Sequence, residues 1–296
     1  MGPVDQAASV AAEYAHIEGR IAAWAANDEA VRAAVVVGSR TRADHPADEW
    51  ADLDVVLVTD DHVPLVADQS WVEGIADPLI RFVDRRGGGD GTELRVLFAG
   101  GYDVDFAFVS VDEAERLMEH DPRTAAILLG RGHRVLLDRD GLLGRILEML
   151  PSVMDHASTS APDQAAFGAV CSDFWYHTVW TSKHLARGEL WWAKSCCDSY
   201  LKDRLERVLE WQATAEGRDS WFRGRFFEEW ADPDVVAGLR RAFAHYDEAE
   251  VRAALDVTMD LFGKVARRTA EELDLAYDGE AESHARALVS EIRARS

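Results

Sequence analysis

Residues 35–61 read VVVGSRTRADHPADEWADLDVVLVTDD, and this stretch decides the fold. A run of valines stops at Gly38 and Ser39. Twelve residues follow (40–51), and then Asp52, Leu53 and Asp54 open a second apolar run. Short β-branched runs bounded by glycine or polar residues predict buried strands, here over 33–37 and 53–58. Strand side chains alternate between faces, so Asp52 and Asp54 share one. Upstream, Ile17, Ile21 and Trp24 at helical spacing predict an amphipathic helix over 5–26. Downstream, the pattern predicts a short helix over 71–75, a strand over 80–83 and a turn at RRGGGDG (85–91). Strands 93–98 and 102–109 should form a hairpin across Ala99, Gly100 and Gly101. A helix is expected after Asp112 and a short strand over 135–137. Residues 151–163 turn rich in Ser, Pro and polar side chains, which marks a domain junction. Beyond it, apolar residues recur at three and four, predicting helices over 163–187, 189–214, 234–244, 247–273 and 279–295. The expected fold is α+β: an N-terminal mixed β-sheet domain with flanking helices (1–155), then a C-terminal α-helical bundle domain (156–296).

The same stretch carries the chemistry. Gly38 lets the backbone turn tightly and approach a phosphate closely. Ser39 adds a hydroxyl and an N–H to such a cradle. Two carboxylates on one strand face repel each other unless a cation neutralises them, and hard oxygen ligands suit Mg²⁺. A third carboxylate is Asp105, which enters an apolar strand ahead of Phe106, Ala107, Phe108 and Val109. An ionised group in that position is expected to be paired or to bind metal. Asp103 is the second choice. A Gly-Ser pair or a D-x-D is weak alone; their order along the chain makes the pattern specific.

The 296 residues leave room for two domains. Apolar residues at 48% and charged residues at 29% describe a globular chain rather than a disordered one. No apolar run approaches the ~18 residues of a membrane helix, and the N-terminus lacks the basic start and apolar run of a secretory signal. The expected setting is cytoplasmic, without membrane. Against 54 acidic residues stand 32 basic ones, a net charge of −22 that disfavours nucleic acid and favours cationic partners. Cys171, Cys196 and Cys197 lack zinc or disulfide spacing and are expected to be buried thiols. The ten histidines form no H-E-x-x-H, and RRGGGDG lacks the context of a dinucleotide fingerprint. No internal repeat is present.

With these residues in place, the stretch at 35–61 resembles the nucleotidyltransferase superfamily pattern of G-S followed by D-x-D. More closely, GSRTRADHPADEWADLDVVLVTDD (38–61), LFAGGYDVDFAFV (97–109) and CSDFWYHTVWTSKHLARGELWWAKSCCDSYLKDRLERVLEW (171–211) are similar, in order, to segments of the aminoglycoside 6-adenylyltransferases that inactivate streptomycin. The resemblance covers most of residues 1–230. It implies that Gly38 and Ser39 hold the ATP triphosphate, with Arg40 touching a phosphate oxygen. It implies that Asp52 and Asp54 bind Mg²⁺, and that Asp105 completes a two-ion site or acts as general base. AMP would then pass from ATP to a hydroxyl of the drug, the 6-hydroxyl of streptomycin, with release of pyrophosphate. The helical domain would form the substrate wall. Its first helix sets Asp173, His177, Trp180 and His184 on one face. Lys183, a flexible ammonium, is the candidate triphosphate contact. A cationic aminoglycoside needs carboxylates and flat rings, for which Asp173, Trp175, His177, Glu189, Trp191 and Asp198 are the candidates. Two alternatives stay open: transfer to another small molecule such as a lincosamide, and a non-catalytic nucleotide-binding relative. Monomer and dimer are equally open.

Overall fold

The computed structural model describes residues 3–85, 91–120, 125–126, 129–154, 161–221 and 224–296. The chain divides into two compact units, Met1–Ala157 and Ser158–Ser296.

The first unit is a six-stranded mixed sheet with helices on both faces. Helix α1 (Pro3–Asn27) leads into strand β1 (Val31–Val37), a short 3₁₀ turn (Gly38–Arg40) and β2 (Leu53–Thr59). After a short helix α2 (Val63–Ala67) and a 3₁₀ turn (Ser70–Gly74) come β3 (Pro78–Arg85), β4 (Thr92–Phe98) and β5 (Tyr102–Ser110). Helix α3 (Val111–His120), strand β6 (Arg134–Asp138) and helix α4 (Leu142–Met154) complete the unit. The strand order is β3-β4-β5-β2-β1-β6. Only β2 and β5 run parallel; the other neighbours are antiparallel.

Alternation explains the layering. Leu53, Val55 and Leu57 point to one face with Val104, Phe106 and Phe108, where Tyr14, Ile17 and Ile21 of α1 cover them. Val35, Val37, Val56 and Val58 point to the other face, toward Ala114 of α3 and Leu142, Leu143 and Ile146 of α4. Both faces are buried, so the central strands read as near-continuous apolar runs instead of alternating ones. The 93–98/102–109 hairpin forms as expected, with Phe98 opposite Tyr102 and both Gly100 and Gly101 at positive φ. Two expectations need correction. Helix α4 continues through Pro151 to Met154, so the start of the expected junction is helical. Of the expected turn at 85–91, Arg85 ends β3, Gly91 precedes β4, and residues 86–90 lie outside the described residues.

The second unit is all helix among its described residues: α5 (Gln164–Ala186), α6 (Leu190–Ser195), α7 (Leu201–Ala215), α8 (Phe227–Trp230), α9 (Pro233–Ala242), α10 (Glu248–Glu272) and α11 (Gly279–Arg295). The stretch read as one helix over 189–214 is broken by a π-helical turn at Cys196–Tyr200. Residues 222 and 223 lie outside the described residues. The core centres on Phe174 and Phe262, stacked with ring centroids 3.6 Å apart. All three cysteines are buried and free. No described helix is long and apolar enough to cross a membrane.

Candidate active site

Sheet register brings the acidic residues together. Asp54 of β2 lies beside Asp105 of β5 in the parallel pair, and Asp105 lies opposite Arg95 of β4. Val37, Asp54, Asp105, Arg95 and Phe82 therefore form one row across five strands. Asp52 precedes Asp54 by two residues and shares its face. Ligand oxygens of Asp52, Asp54 and Asp105 all lie within 4.8 Å of one another. Among the described residues they are the one group of three or more His, Cys, Asp or Glu placed closely enough to share an ion. Farther along the same face, Val56, Val58 and Val109 pack against the α3/α4 layer, so the acids occupy the end of that face.

The Gly38 turn is built against this cluster. Gly38 has φ +75°, and a Cβ there would fall 2.1 Å from Asp54 Oδ2. Glycine is required twice, for the backbone angle and for the space. Ser39 is 9% exposed, and its Oγ is buried without a hydrogen-bond partner. Arg40 turns the other way. Its Nε donates to the Asp52 carbonyl at 2.9 Å, its Nη2 donates to the Ala51 carbonyl, and its guanidinium lies 3.3 Å from the Tyr14 ring centroid. Arg40 thus ties the loop 41–51 down and fixes the start of β2. Tyr14 also accepts a hydrogen bond from the Asp103 amide at 3.1 Å.

The electrostatics are those of crowded like charges. Burial pushes the Asp105 carboxyl up to about 6; Arg95 pulls it down, and Asp103 and Asp52 push it up again. The Asp103 carboxyl is also raised, first by burial and then by Asp52. One oxygen of Asp105, Oδ2, is 3.2 Å from Arg95, whereas Oδ1 is buried without a hydrogen-bond partner. Three clustered carboxylates with an orphaned buried oxygen fit a divalent cation.

The remaining candidates lie in the helical unit. Trp175 is a core residue, 3% exposed, with its Nε1 donating to Tyr277 Oη at 3.0 Å. Asp173 is answered by Tyr200 Oη (2.9 Å), Arg204 (2.7 Å) and His177 Nδ1 (2.8 Å). Glu189 pairs with His184 and with Arg187 (2.7 Å), and the His184 contact holds its carboxyl below the ordinary range. Asp198 pairs with Lys194, though its Oδ1 is buried without a hydrogen-bond partner. Trp191 is 72% exposed, with Tyr246 edge-on at 6.3 Å. Lys183 lines a cleft of about 370 Å³ with Tyr176, Trp180, His284 and Leu288.

Arg95 and Tyr14 were not singled out from sequence. For Arg95 a signal existed: counting outward from the Phe98–Tyr102 turn pairs it with Asp105. Tyr14 sits in a helix far from the motif and gave none.

Residues 13–292 match the family described as "Streptomycin adenylyltransferase". The chain is 21% identical over 267 residues to the aminoglycoside 6-adenylyltransferase of Campylobacter jejuni, covering 86% of this chain and 87% of that one. It is 22% identical over 265 residues to the aminoglycoside 6-adenylyltransferase of Bacillus subtilis (strain 168), covering 86% and 89%. A crystal structure of an aminoglycoside 6-adenyltransferase from Bacillus subtilis aligns over 93% of this chain and 96% of its own, at 18% identity and a TM-score of 0.45.

Proposed function

The chain belongs to the streptomycin adenylyltransferase family, and we propose that it transfers AMP from ATP to a hydroxyl of an aminoglycoside, the 6-hydroxyl of streptomycin, and so confers resistance. The observation that carries this reading is the convergence of Asp52, Asp54 and Asp105 beside a Gly38 turn too tight for any side chain. Asp52, Asp54 and Asp105 would hold Mg²⁺, as two ions, and the bound ions would supply charge neutralisation at the triphosphate. Gly38 and Ser39 present backbone and hydroxyl to the phosphates. In the alternative role, Asp105 stays off the ion and receives the proton of the attacking hydroxyl as general base. The hydroxyl oxygen bonds to the α-phosphorus, the bond to the β-phosphate side breaks, and pyrophosphate leaves. Positioning and charge stabilisation do most of this work.

We assign aminoglycoside recognition to the helical unit. Tyr176, Trp180 and Trp191 offer flat faces to a guanidinium. Asp173, Glu189 and Asp198 already have partners, so a cationic drug engages them by exchanging with Arg204, Arg187 or Lys194. The net charge of −22 supports attraction of a polycation.

The test is Mg²⁺-dependent transfer of labelled AMP to streptomycin, with the Asp52→Asn chain alongside. Transfer by the wild type and its loss in the variant support the reading. Full activity of Asp52→Asn overturns the metal assignment, and preference for an uncharged lincosamide overturns the substrate.

A further inference from the structure

Arg95 lies where a cation is least useful for binding a metal. It faces Asp105 directly across the β4/β5 pair, with Nη1 3.2 Å from Oδ2. A guanidinium there repels any divalent ion held by Asp52, Asp54 and Asp105. Its own position is fixed from the other side: Glu93 lies 3.0 Å from Nη2 and Asp84 3.5 Å from Nε. Three carboxylates thus hold the guanidinium, and the guanidinium holds the one carboxylate that belongs to the acidic trio.

The terminal torsion of an aspartate is broad, so an untethered carboxylate swings freely. With Oδ2 in an ion pair with Arg95, that freedom is restricted, and Oδ1 remains as the buried oxygen without a hydrogen-bond partner. We propose that Arg95 is a positioning residue for the transfer step: it spends one oxygen of Asp105 so that the other is presented to the reacting centre in a single orientation. This inference rests on the adenylyl-transfer reading above. Arg95 acts through Asp105 and touches neither nucleotide nor drug.

The experiment compares the full-length wild type with Arg95→Met and Arg95→Lys. Four quantities are measured: kcat, KM for ATP, the affinity for Mn²⁺ alone by electron paramagnetic resonance, and the melting temperature. Arg95→Met should lose roughly tenfold to a hundredfold in kcat, the usual cost of removing a group that orients a metal-site carboxylate. Its KM for ATP should stay within about twofold. Mn²⁺ should bind the variant as tightly as the wild type or more tightly, because a repelling cation has gone. Arg95→Lys keeps the charge without the planar fork and should recover part of kcat.

An Arg95→Met enzyme with kcat within about twofold of wild type overturns the inference. A raised KM with kcat intact does so too, because it marks a phosphate contact. Loss of Mn²⁺ binding together with melting temperature reduces Arg95 to a structural role. If the wild type transfers no AMP, the proposed function and this inference fall together; if the wild type is active and Arg95→Met equally so, the inference alone falls.

Discussion

The two units use acidic residues in opposite ways. In the helical unit the carboxylates of Asp173 and Glu282 are answered. Asp173 has Tyr200, Arg204 and His177; Glu282 has Arg267, Arg286 and Tyr277. In the sheet unit Asp52, Asp54 and Asp105 are pressed against one another, and burial raises both Asp103 and Asp105. Crowded like charges cost folding free energy, whereas a satisfied network costs little or contributes. The contrast yields a rule: removing a sheet carboxylate should cost activity and spare stability, while removing a helical one should cost stability first.

The largest expected effect comes from Asp54→Asn. Under the proposed function, transfer of AMP should fall about a thousandfold or more, since Asp54 would there be a ligand of the ion that neutralises charge at the phosphates. The melting temperature should hold or rise, because a repulsion has been relieved. A variant that melts well below wild type would break the rule. Gly38→Ala comes next. The φ of +75° and the 2.1 Å approach to Asp54 Oδ2 force either backbone strain or displacement of that carboxylate. The strain is worth about 1–3 kcal/mol, and activity should fall roughly a hundredfold through misplacement. An active, unstrained Gly38→Ala chain would show that the turn is not built around the acid.

The sheet half of this contrast was legible in the sequence. Valine runs, the glycine stop and the two-residue period of Asp52 and Asp54 place both strands and the face they share, and the embedded Asp105 marks its own strand as exceptional. The parallel neighbour relation of β2 and β5 was not legible, because strand order depends on crossovers that local pattern does not encode. Arg40 shows the limit of motif reasoning. Its position after Gly-Ser suggests a phosphate, but its hydrogen bonds run to the carbonyls of Ala51 and Asp52. The helical half was legible as helices and far less as a site. Trp175 and Trp191 look alike in sequence, and the folded chain buries one and exposes the other. Helical periodicity cannot separate them where aromatic residues occupy adjoining stripes.

Asp173→Asn tests the other half. It leaves Arg204 and the Tyr200 hydroxyl without their shared carboxylate. The expected loss is about 1–2 kcal/mol, kept low because Asp173 is partly exposed. That corresponds to a melting temperature lowered by about 2–8 °C, read by calorimetry. A melting temperature equal to wild type would show that the Asp173 network adds nothing to stability, and the two units would no longer differ.

The smallest effect separates the units by pH. In the folded chain the Asp105 carboxyl keeps its proton up to about 6, against an ordinary value of 3.8. Between those values the folded state binds more protons than the unfolded one, so this group's contribution to stability declines as pH rises through the window. Above it the carboxylate is ionised among its neighbours, and a divalent ion offsets the repulsion. Below it the ion must displace a proton. Mg²⁺ should therefore raise the melting temperature by a few degrees at about pH 7.5 and by much less at about pH 5. In the helical unit Glu189 and Glu282 are held below their ordinary value, while burial raises Glu210. Equal gains at the two pH values would mean that the ion binds away from Asp105, and the sheet cluster would then be no more a metal seat than the paired acids of the helices.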